Sequence, residues 1–462
     1  MQVMNIKHII TRIAKSPEKT FLLLSLFFGL ISAIIVPQLS VSDENMHYLR
    51  AYSISMARLE SKQCTYPKAI AERAKSVYSG NFISDYTTNI DRRILITEKC
   101  GSAVGYSPIM HLPQAIGVGV ASYFGGSTGL SILLGRITNL IFYSITIFFI
   151  IRWVRVGKWV FVSVGLFPLM IHMAASLSSD VATNVAIFTI AAVTLNLFSQ
   201  KTKISRNQFV ALLSIAAVLA LTKPVNAILL LPLIFLPKRL FVNNNKNLPF
   251  NVRKWLMLIS LGLVALVSLI VWQKIYNAPL VNSAGVENPL HTNPLKFLII
   301  LFNTYINPKI GYTDVVFRGL IGEFSSFSYR LPLFILTPSF ALLFISLLKN
   351  NKQDYILLGK YAKSLAILNI STIAFFITAV SYLMFSVWAI MPFRFGVGAY
   401  YADGVQGRYF TALAVLLIPI GIWLQKYFRI ETKNEKVFNL IMFFGLALVL
   451  GFYVFETVWT YK

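Results

Sequence analysis

The chain has 462 residues, of which 56% are hydrophobic and 13% are charged, and its formal net charge is +25. Soluble domains carry about 25% charged residues, so this composition excludes an ordinary soluble globular protein. The positive charge does not indicate nucleic-acid binding, because no basic stripe with interleaved aromatic residues occurs. Lys and Arg also collect in the cytoplasmic loops of membrane proteins, and that class fits the hydrophobic content.

Long apolar runs predict an all-α polytopic membrane protein with about eleven transmembrane helices. The residue alternation expected of a membrane β-barrel is absent. Basic residues precede the first run and no small-residue cleavage site follows it, so we predict an uncleaved first span and a cytoplasmic N-terminus. The prediction is one integral membrane domain over 1–462, with spans at about 20–40, 128–151, 159–177, 181–199, 208–221, 226–237, 255–274, 331–348, 364–390, 409–425 and 437–457.

Basic clusters set the predicted orientation of these spans. The segments assigned to the cytoplasm hold more than half of the Lys and Arg residues but fewer than a quarter of the acidic ones. Two long polar segments then face away from the cytoplasm, a first external loop at 41–127 and a second at 276–330. Residues 108–124 are apolar, but a full span there would invert every later span. We therefore predict a re-entrant or surface-lying helix at about 108–124.

Polar side chains gather directly after the first span. Asp43, His47 and Arg50 lie on one face of a predicted helix, at positions i, i+4 and i+7. A carboxylate at the membrane–water boundary suits a general base, so Asp43, or failing it Glu44, is the candidate catalytic residue. His47 and Arg50 are candidate substrate-binding residues. Two alternatives remain: a solvated face whose acids complement the helix dipole, and a divalent-cation site formed by Asp43, Glu44 and His47.

Charged residues also occur in or beside the later spans. Arg136 lies within the second predicted span, where a charge is costly, so it either forms an ion pair, for example with Asp180, or holds a lipid phosphate. Asp180 and Lys223 lie at very short outer junctions, where they pair with each other, face an anionic headgroup or are simply solvated. Asp314 in the second external loop is a further candidate substrate-binding residue. Arg408, before the tenth span, either binds phosphate or extends to the membrane surface.

Cys64 and Cys100 are the only cysteines, and both lie in the first external loop. Two thiols on the oxidising side of a membrane favour a disulfide, with two free buried thiols as the alternative. A bond closing this loop would stabilise the fold by about 3–4 kcal/mol if it were unstrained.

Several motifs occur in order over about 20–425: Asp43-Glu44-x-x-His47, Arg50-Ala51-Tyr52-x-Ile54-Ser55, Tyr106-Ser107-Pro108, Leu112-Pro113-Gln114-Ala115, Gly135-Arg136-x-x-Asn139, Ala175-Ser176-Leu177-Ser178-x-Asp180, Lys223-Pro224, Gly311-Tyr312-Thr313-Asp314 and Gln406-Gly407-Arg408-Tyr409-Phe410. Together they resemble a bacterial group of multi-pass membrane proteins, domain-of-unknown-function family 2142. The match to the family's Gly-Trp-Leu-Asp pattern has two changes, which leaves the role of Asp314 open.

That family in turn resembles the C-type (GT-C) glycosyltransferases, which take a sugar from a polyprenyl phosphate and carry acidic residues in the first external loop. The resemblance implies an inverting transfer to a cell-envelope glycan on the outer face of the bacterial cytoplasmic membrane, with Asp43 or Glu44 as base. The implied partners are the lipid-linked donor, the glycan acceptor and the bilayer. Two alternatives are a transporter or flippase for lipid-linked glycans, which should place polar residues near the bilayer midplane, and a non-catalytic assembly factor.

Overall fold

The computed structural model describes residues 13–59, 62–76, 82–241, 250–276, 295–310, 312–322, 330–349, 352–388, 400–402, 404–425, 427 and 434–461. These residues are mostly helical. Up to residue 200 the helices are α1 Pro17–Ile35, α2 Glu44–Ser55, α3 Lys68–Lys75, α4 Phe82–Thr87, α5 Leu112–Tyr123, α6 Thr128–Trp153, α7 Lys158–Gly165, α8 Pro168–Ala174 and α9 Asp180–Ser199.

Beyond residue 200, α-helices alternate with 3₁₀ segments. The longer 3₁₀ segments are Pro224–Phe235 and Thr411–Leu417, and a short 3₁₀ turn occupies Gly407–Tyr409. The helices are α10 Arg206–Thr222, α11 Phe250–Tyr276, α12 Lys296–Tyr305, α13 Tyr312–Arg318, α14 Leu333–Leu348, α15 Lys352–Trp388, α16 Ile418–Leu424 and α17 Glu435–Thr460.

Six helices of the described residues are long and apolar enough to cross a membrane: α1, α6, α9, α11, α15 and α17. Shorter apolar helices, such as Arg206–Thr222 and Leu333–Leu348, accompany them. The membrane-protein class is therefore supported, whereas the predicted count of eleven spans and their orientation stay predictions. α9 is the most enclosed of the six, since almost all of its side chains are buried.

The predicted third span, 159–177, is not one continuous helix. It is divided into α7 and α8, with the break at Leu166 and Phe167. Pro168 explains the break, because proline has no N–H to donate and disfavours helical geometry in the preceding residue. Phe167 accordingly has extended backbone, with φ −57° and ψ 140°.

The predicted first external loop forms a small folded unit beside the N-terminal end of α6. Strands β1 Gln63–Pro67 and β2 Leu95–Lys99 pair antiparallel, and a disulfide joins Cys64 to Cys100 with their Cα atoms 5.0 Å apart. The predicted disulfide is therefore present. A separate apolar core, which includes Tyr48, Tyr66 and Ile70, holds the unit together.

The apolar segment at 108–124 contains α5, which packs along α6. The two helices approach so closely that a Cβ on Gly117 would lie 2.2 Å from the carbonyl oxygen of Leu134. Glycine is required for this backbone contact. The position of α5 in the bilayer stays a prediction. Much of the second external loop, 276–330, lies outside the described residues.

Candidate functional site

Glu44 and Arg136 form a fully buried ion pair, which we call the sealed pair. The Nε and Nη2 of Arg136 donate to the two carboxylate oxygens of Glu44 at 2.8 and 2.7 Å. The remaining donors bind the carbonyl oxygens of Ala33, Val36 and Pro37. Both side chains are 0% exposed. Of the two roles left open for Arg136, the structure contains the ion pair, and its partner is Glu44 rather than Asp180.

The sealed pair helps to fix the short junction between α8 and α9. Glu44 Oε1 accepts a hydrogen bond from the backbone N–H of Leu177 at 3.0 Å. The side-chain amides of Gln114 and Asn139 both donate to the carbonyl oxygen of Ser178, at 2.9 and 3.3 Å. Three separate elements therefore hold this junction, and it is the junction that presents Asp180.

Asp180 belongs to a second charged group, which we call the junction cluster: Asp43, Asp180, Lys223 and Arg408. Lys223 Nζ lies 2.8 Å from Asp180 Oδ1, which confirms that these two residues pair. Arg408 bridges the cluster, with Nε 3.6 Å from Asp180 and Nη2 3.4 Å from Asp43. Lys223 also lies over the ring of Tyr409, 4.7 Å from its centroid. Residues distant in sequence therefore converge on one site.

Local sequence accounts for two of these positions. Pro224 disfavours helical geometry at Lys223, so α10 ends at Thr222 and the lysine has extended backbone. Gly407 allows the turn before Arg408 to pack against α13, because a Cβ there would lie 2.2 Å from the carbonyl oxygen of Val316.

The cations of the junction cluster suit an anionic ligand. Burial by itself would lower the pKa of Lys223, but the Asp180 carboxylate, together with Tyr106 and Tyr409, outweighs it, so the pKa is raised and the amine stays charged. The side chain of Arg408 is 10% exposed. Its Nε is buried and makes no hydrogen bond within the described part of the chain. That atom lies 3.6 Å from Asp180 Oδ2, so ion pairs with Asp180 and Asp43 hold Arg408 at the site.

A buried histidine pair adjoins the junction cluster. Nδ1 of His47 and Nε2 of His111 lie 2.9 Å apart, so one ring donates a hydrogen bond to the other. Burial lowers the pKa of His47 to about 4, although the carboxylates of Asp180 and Asp43 oppose this shift. Burial also lowers the pKa of His111 well below its ordinary value. Both rings are therefore neutral at pH 7.

Two further candidates make other contacts. Arg50 is buried, and its Nη2 donates a hydrogen bond to the backbone carbonyl oxygen of Tyr106 at 3.3 Å. Asp314 pairs with Arg318 at 2.7 Å and with Arg330 at 3.4 Å.

The suggested cation site at Asp43, Glu44 and His47 is not assembled among the described residues. No group of three or more His, Cys, Asp or Glu side chains there has an arrangement that could hold a metal ion. The physical reason is the sealed pair, because both oxygens of Glu44 already accept hydrogen bonds from Arg136.

An apolar groove of about 630 Å³ leads towards the junction cluster. It lies between α5, α6, α9 and α10. Thr222, at one edge, directly precedes Lys223, and Ala182 follows Asp180 by two residues. The groove is lined by Ile109, Leu112, Pro113, Ile116, Thr138, Ile141, Phe142, Ala182, Val185, Ala186, Thr189, Ser214, Ile215, Val218 and Thr222.

Sequence reasoning gave no role to several residues that build this site. Gln114 and Asn139 stand in the quoted motifs, but nothing in the sequence tells which backbone groups their amides bind. His111 lies between two motifs and carries no spacing signal at all. Tyr409 lies within the motif at 406–410, but no sequence signal indicates that its ring contacts Lys223.

The chain was compared with protein families, curated proteins and solved structures. No curated protein and no solved structure matches it. A family model described as a predicted membrane protein, domain-of-unknown-function family 2142, matches residues 26–417. This match covers most of the chain and includes every residue of the sealed pair and the junction cluster. The chain therefore belongs to this family of predicted membrane proteins.

Proposed function

We propose that this protein is a membrane glycosyltransferase that transfers a sugar from a polyprenyl phosphate to a cell-envelope glycan on the extracytoplasmic side of the bacterial cytoplasmic membrane. The observation that carries the proposal is an apolar groove whose lining residue Thr222 directly precedes Lys223, one of two cations that lie together with an exposed carboxylate. A lipid-linked phosphate needs the first two features, and an acceptor hydroxyl needs the third.

The lipid chain of the donor occupies the apolar groove in this proposal. Its phosphate lies beside Lys223 and Arg408, which Asp180 holds in position through contacts of 2.8 and 3.6 Å. Arginine and lysine suit this role because both donate to phosphate oxygens while compensating their charge. Arg136 is left out of the phosphate site, since its five N–H groups are already used.

Asp43 is the proposed general base. Its side chain is 65% exposed, whereas that of Glu44 is 0% exposed and bonded to Arg136. The acceptor hydroxyl gives its proton to the Asp43 carboxylate while its oxygen bonds to the anomeric carbon. The bond between that carbon and the phosphate oxygen breaks, and the released lipid phosphate keeps the electron pair. Lys223 and Arg408 stabilise the charge that develops on this leaving group.

The first test measures sugar transfer by full-length protein in lipid vesicles, using a panel of polyprenyl-phosphate sugars and an envelope glycan fraction. Asp43→Asn should lower transfer at least about 100-fold, which is the scale of general-base catalysis. Asp91→Asn is the matched control, because Asp91 is another exposed carboxylate of the same loop. Full transfer by Asp43→Asn would remove Asp43 as the base.

The second test separates donor binding from catalysis. Polyprenyl phosphate should bind Asp43→Asn normally but bind Lys223→Gln and Arg408→Gln weakly. Ser214→Trp should obstruct the groove from α10, whereas Ser371→Trp alters an exposed serine on α15 outside it. Equal affinity in all these variants would contradict the donor site. Movement of the lipid between leaflets without sugar transfer would instead favour the flippase.

A further inference from the structure

A charged cavity lies at the opposite end of the helix bundle from the junction cluster. It has a volume of about 660 Å³ and includes residues at the start of α1 and the end of α6, far along both helices from the sealed pair. We call it the inner cavity, because the predicted orientation puts it on the cytoplasmic side. Its charged lining, within the described residues, consists of Lys15, Arg152, Arg155, Lys158, Lys349, Asp354 and Glu435.

Cations outnumber carboxylates in this lining. The carboxylate of Asp354 accepts a hydrogen bond from the backbone N–H of Gly157 at 2.9 Å. That contact fixes the turn between α6 and α7, where Gly157 has φ +69°. Glu435 is 79% exposed and lies 3.7 Å from Lys349. The acids therefore compensate only part of the positive charge around the cavity.

Lys349 is largely shielded from water. Its side chain is 11% exposed, and its ammonium lies over the ring of Phe438 at 4.2 Å from the centroid. Burial lowers its pKa, and the partial compensation by Glu435 does not restore it. A buried ammonium in this state gains stability when another anion approaches it.

We propose that the inner cavity binds a phosphate group, carried by an anionic phospholipid headgroup or by a soluble phosphate. Its volume lies in the range of ordinary small-ligand sites, roughly 300–1,000 Å³. Basic pockets between transmembrane helices on the cytoplasmic side suit anionic headgroups. Trp153 and Trp159 in the lining are residues that favour the membrane interface. No residue of the junction cluster takes part, so this proposal stands apart from the proposed transferase activity.

Direct binding to the full-length protein in a non-ionic detergent tests the proposal. The probes are phosphatidylglycerol, inorganic phosphate and zwitterionic phosphatidylcholine. Lys349→Gln and Arg155→Gln should each weaken phosphatidylglycerol binding about fivefold, as expected for the loss of one cation near a headgroup. Lys349→Arg should keep most of the affinity. Lys436→Gln is the matched control, because this exposed lysine adjoins Glu435 without lining the cavity.

The outcomes distinguish the two sources of phosphate. Saturable phosphatidylglycerol binding that inorganic phosphate does not displace assigns the cavity to a lipid. Displacement by millimolar inorganic phosphate, with the same dependence on Lys349 and Arg155, assigns it to a soluble phosphate. If Lys349→Gln and Lys436→Gln lose affinity equally, or phosphatidylcholine binds as tightly, the proposal is overturned. Folding of Lys349→Gln is checked independently by its thermal unfolding temperature.

Discussion

The sealed pair and the junction cluster contain the same kinds of side chain in opposite surroundings. Glu44 and Arg136 are 0% exposed, and the guanidinium has a protein acceptor for each of its donors. Arg408, in contrast, has a buried Nε with no hydrogen bond among the described residues, and it contacts an aspartate that is 65% exposed. In the first group every guanidinium donor makes a short hydrogen bond, whereas in the second Arg408 has only longer contacts, of 3.6 and 3.4 Å, to two carboxylates near a groove.

Asp43 and Glu44 make the same contrast between adjacent residues. Asp43 precedes α2 with φ 60° and its side chain is 65% exposed, whereas Glu44 occupies the first helical position and its side chain is 0% exposed. One carboxylate reaches water, and the other crosses to α6 and the junction before α9. A negative charge alone therefore does not distinguish a structural acid from a catalytic candidate. The hydrogen-bond partners of the carboxylate oxygens do distinguish them.

Removing one member of the sealed pair should have the largest effect on stability. Glu44→Gln leaves the Arg136 guanidinium buried without its counter-charge, and breaking such a pair costs about 3–5 kcal/mol. The same change also weakens the bond to Leu177, so the junction before Asp180 loses a support. We expect a markedly lower thermal unfolding temperature and low expression, measured on protein in detergent.

A double variant tests whether Glu44→Gln loses stability because the charge of Arg136 is no longer compensated. Glu44→Gln combined with Arg136→Met removes both buried charges and should recover part of the stability lost in Glu44→Gln. Lys75→Met serves as a comparison, because its ion pair with Glu98 involves an exposed lysine and should contribute little. An unfolding temperature for Glu44→Gln equal to that of wild type would mean that the pair is not structural.

Acid should destabilise the protein through the buried histidines beside the junction cluster. The folded-state pKa of His47 is about 4, below its ordinary 6.5, so the unfolded chain takes up the proton first. Stability is then fully present above about pH 6.5 and is lost as pH falls towards 4, by roughly 3 kcal/mol for His47. The charged groups acting on the pair are Asp43, Asp180, Lys223, Arg408 and, on His111, Arg50.

Unfolding temperatures between pH 7.5 and 4.5 measure this effect. The variant with His47→Gln and His111→Gln has no imidazole to protonate, so its unfolding temperature should change less over the same range. An identical slope in wild type and variant would show that other groups cause the acid sensitivity.

The sequence predicts the membrane class and offers the pairing of Asp180 with Lys223 as one of three alternatives, because both depend on short-range signals. Apolar length marks the spans, and very short junctions keep both charges near one surface. Partners distant in the chain are different, since only tertiary packing brings Glu44 to Arg136 or His47 to His111.

The length and hydropathy of an apolar run also do not reveal where a helix is interrupted or which distant side chains hold a loop in place. The split between α7 and α8 depends on Pro168, and the break is not visible from the length of the apolar run alone. The hydrogen bonds from Gln114 and Asn139 to Ser178 depend on how α5 and α6 pack, which no local pattern encodes.

The smallest effect on stability should come from substitutions at Asp43, where backbone and chemistry can be separated. Asn tolerates the left-handed backbone at φ 60° nearly as well as Asp, so Asp43→Asn should unfold within about 0.5 kcal/mol of wild type. Ala disfavours this region, so Asp43→Ala should lose about 1 kcal/mol more. Both variants lack the carboxylate, and both should lose transfer. If only Asp43→Ala lost activity, the residue would act through backbone geometry, and the junction cluster would resemble the sealed pair in being structural.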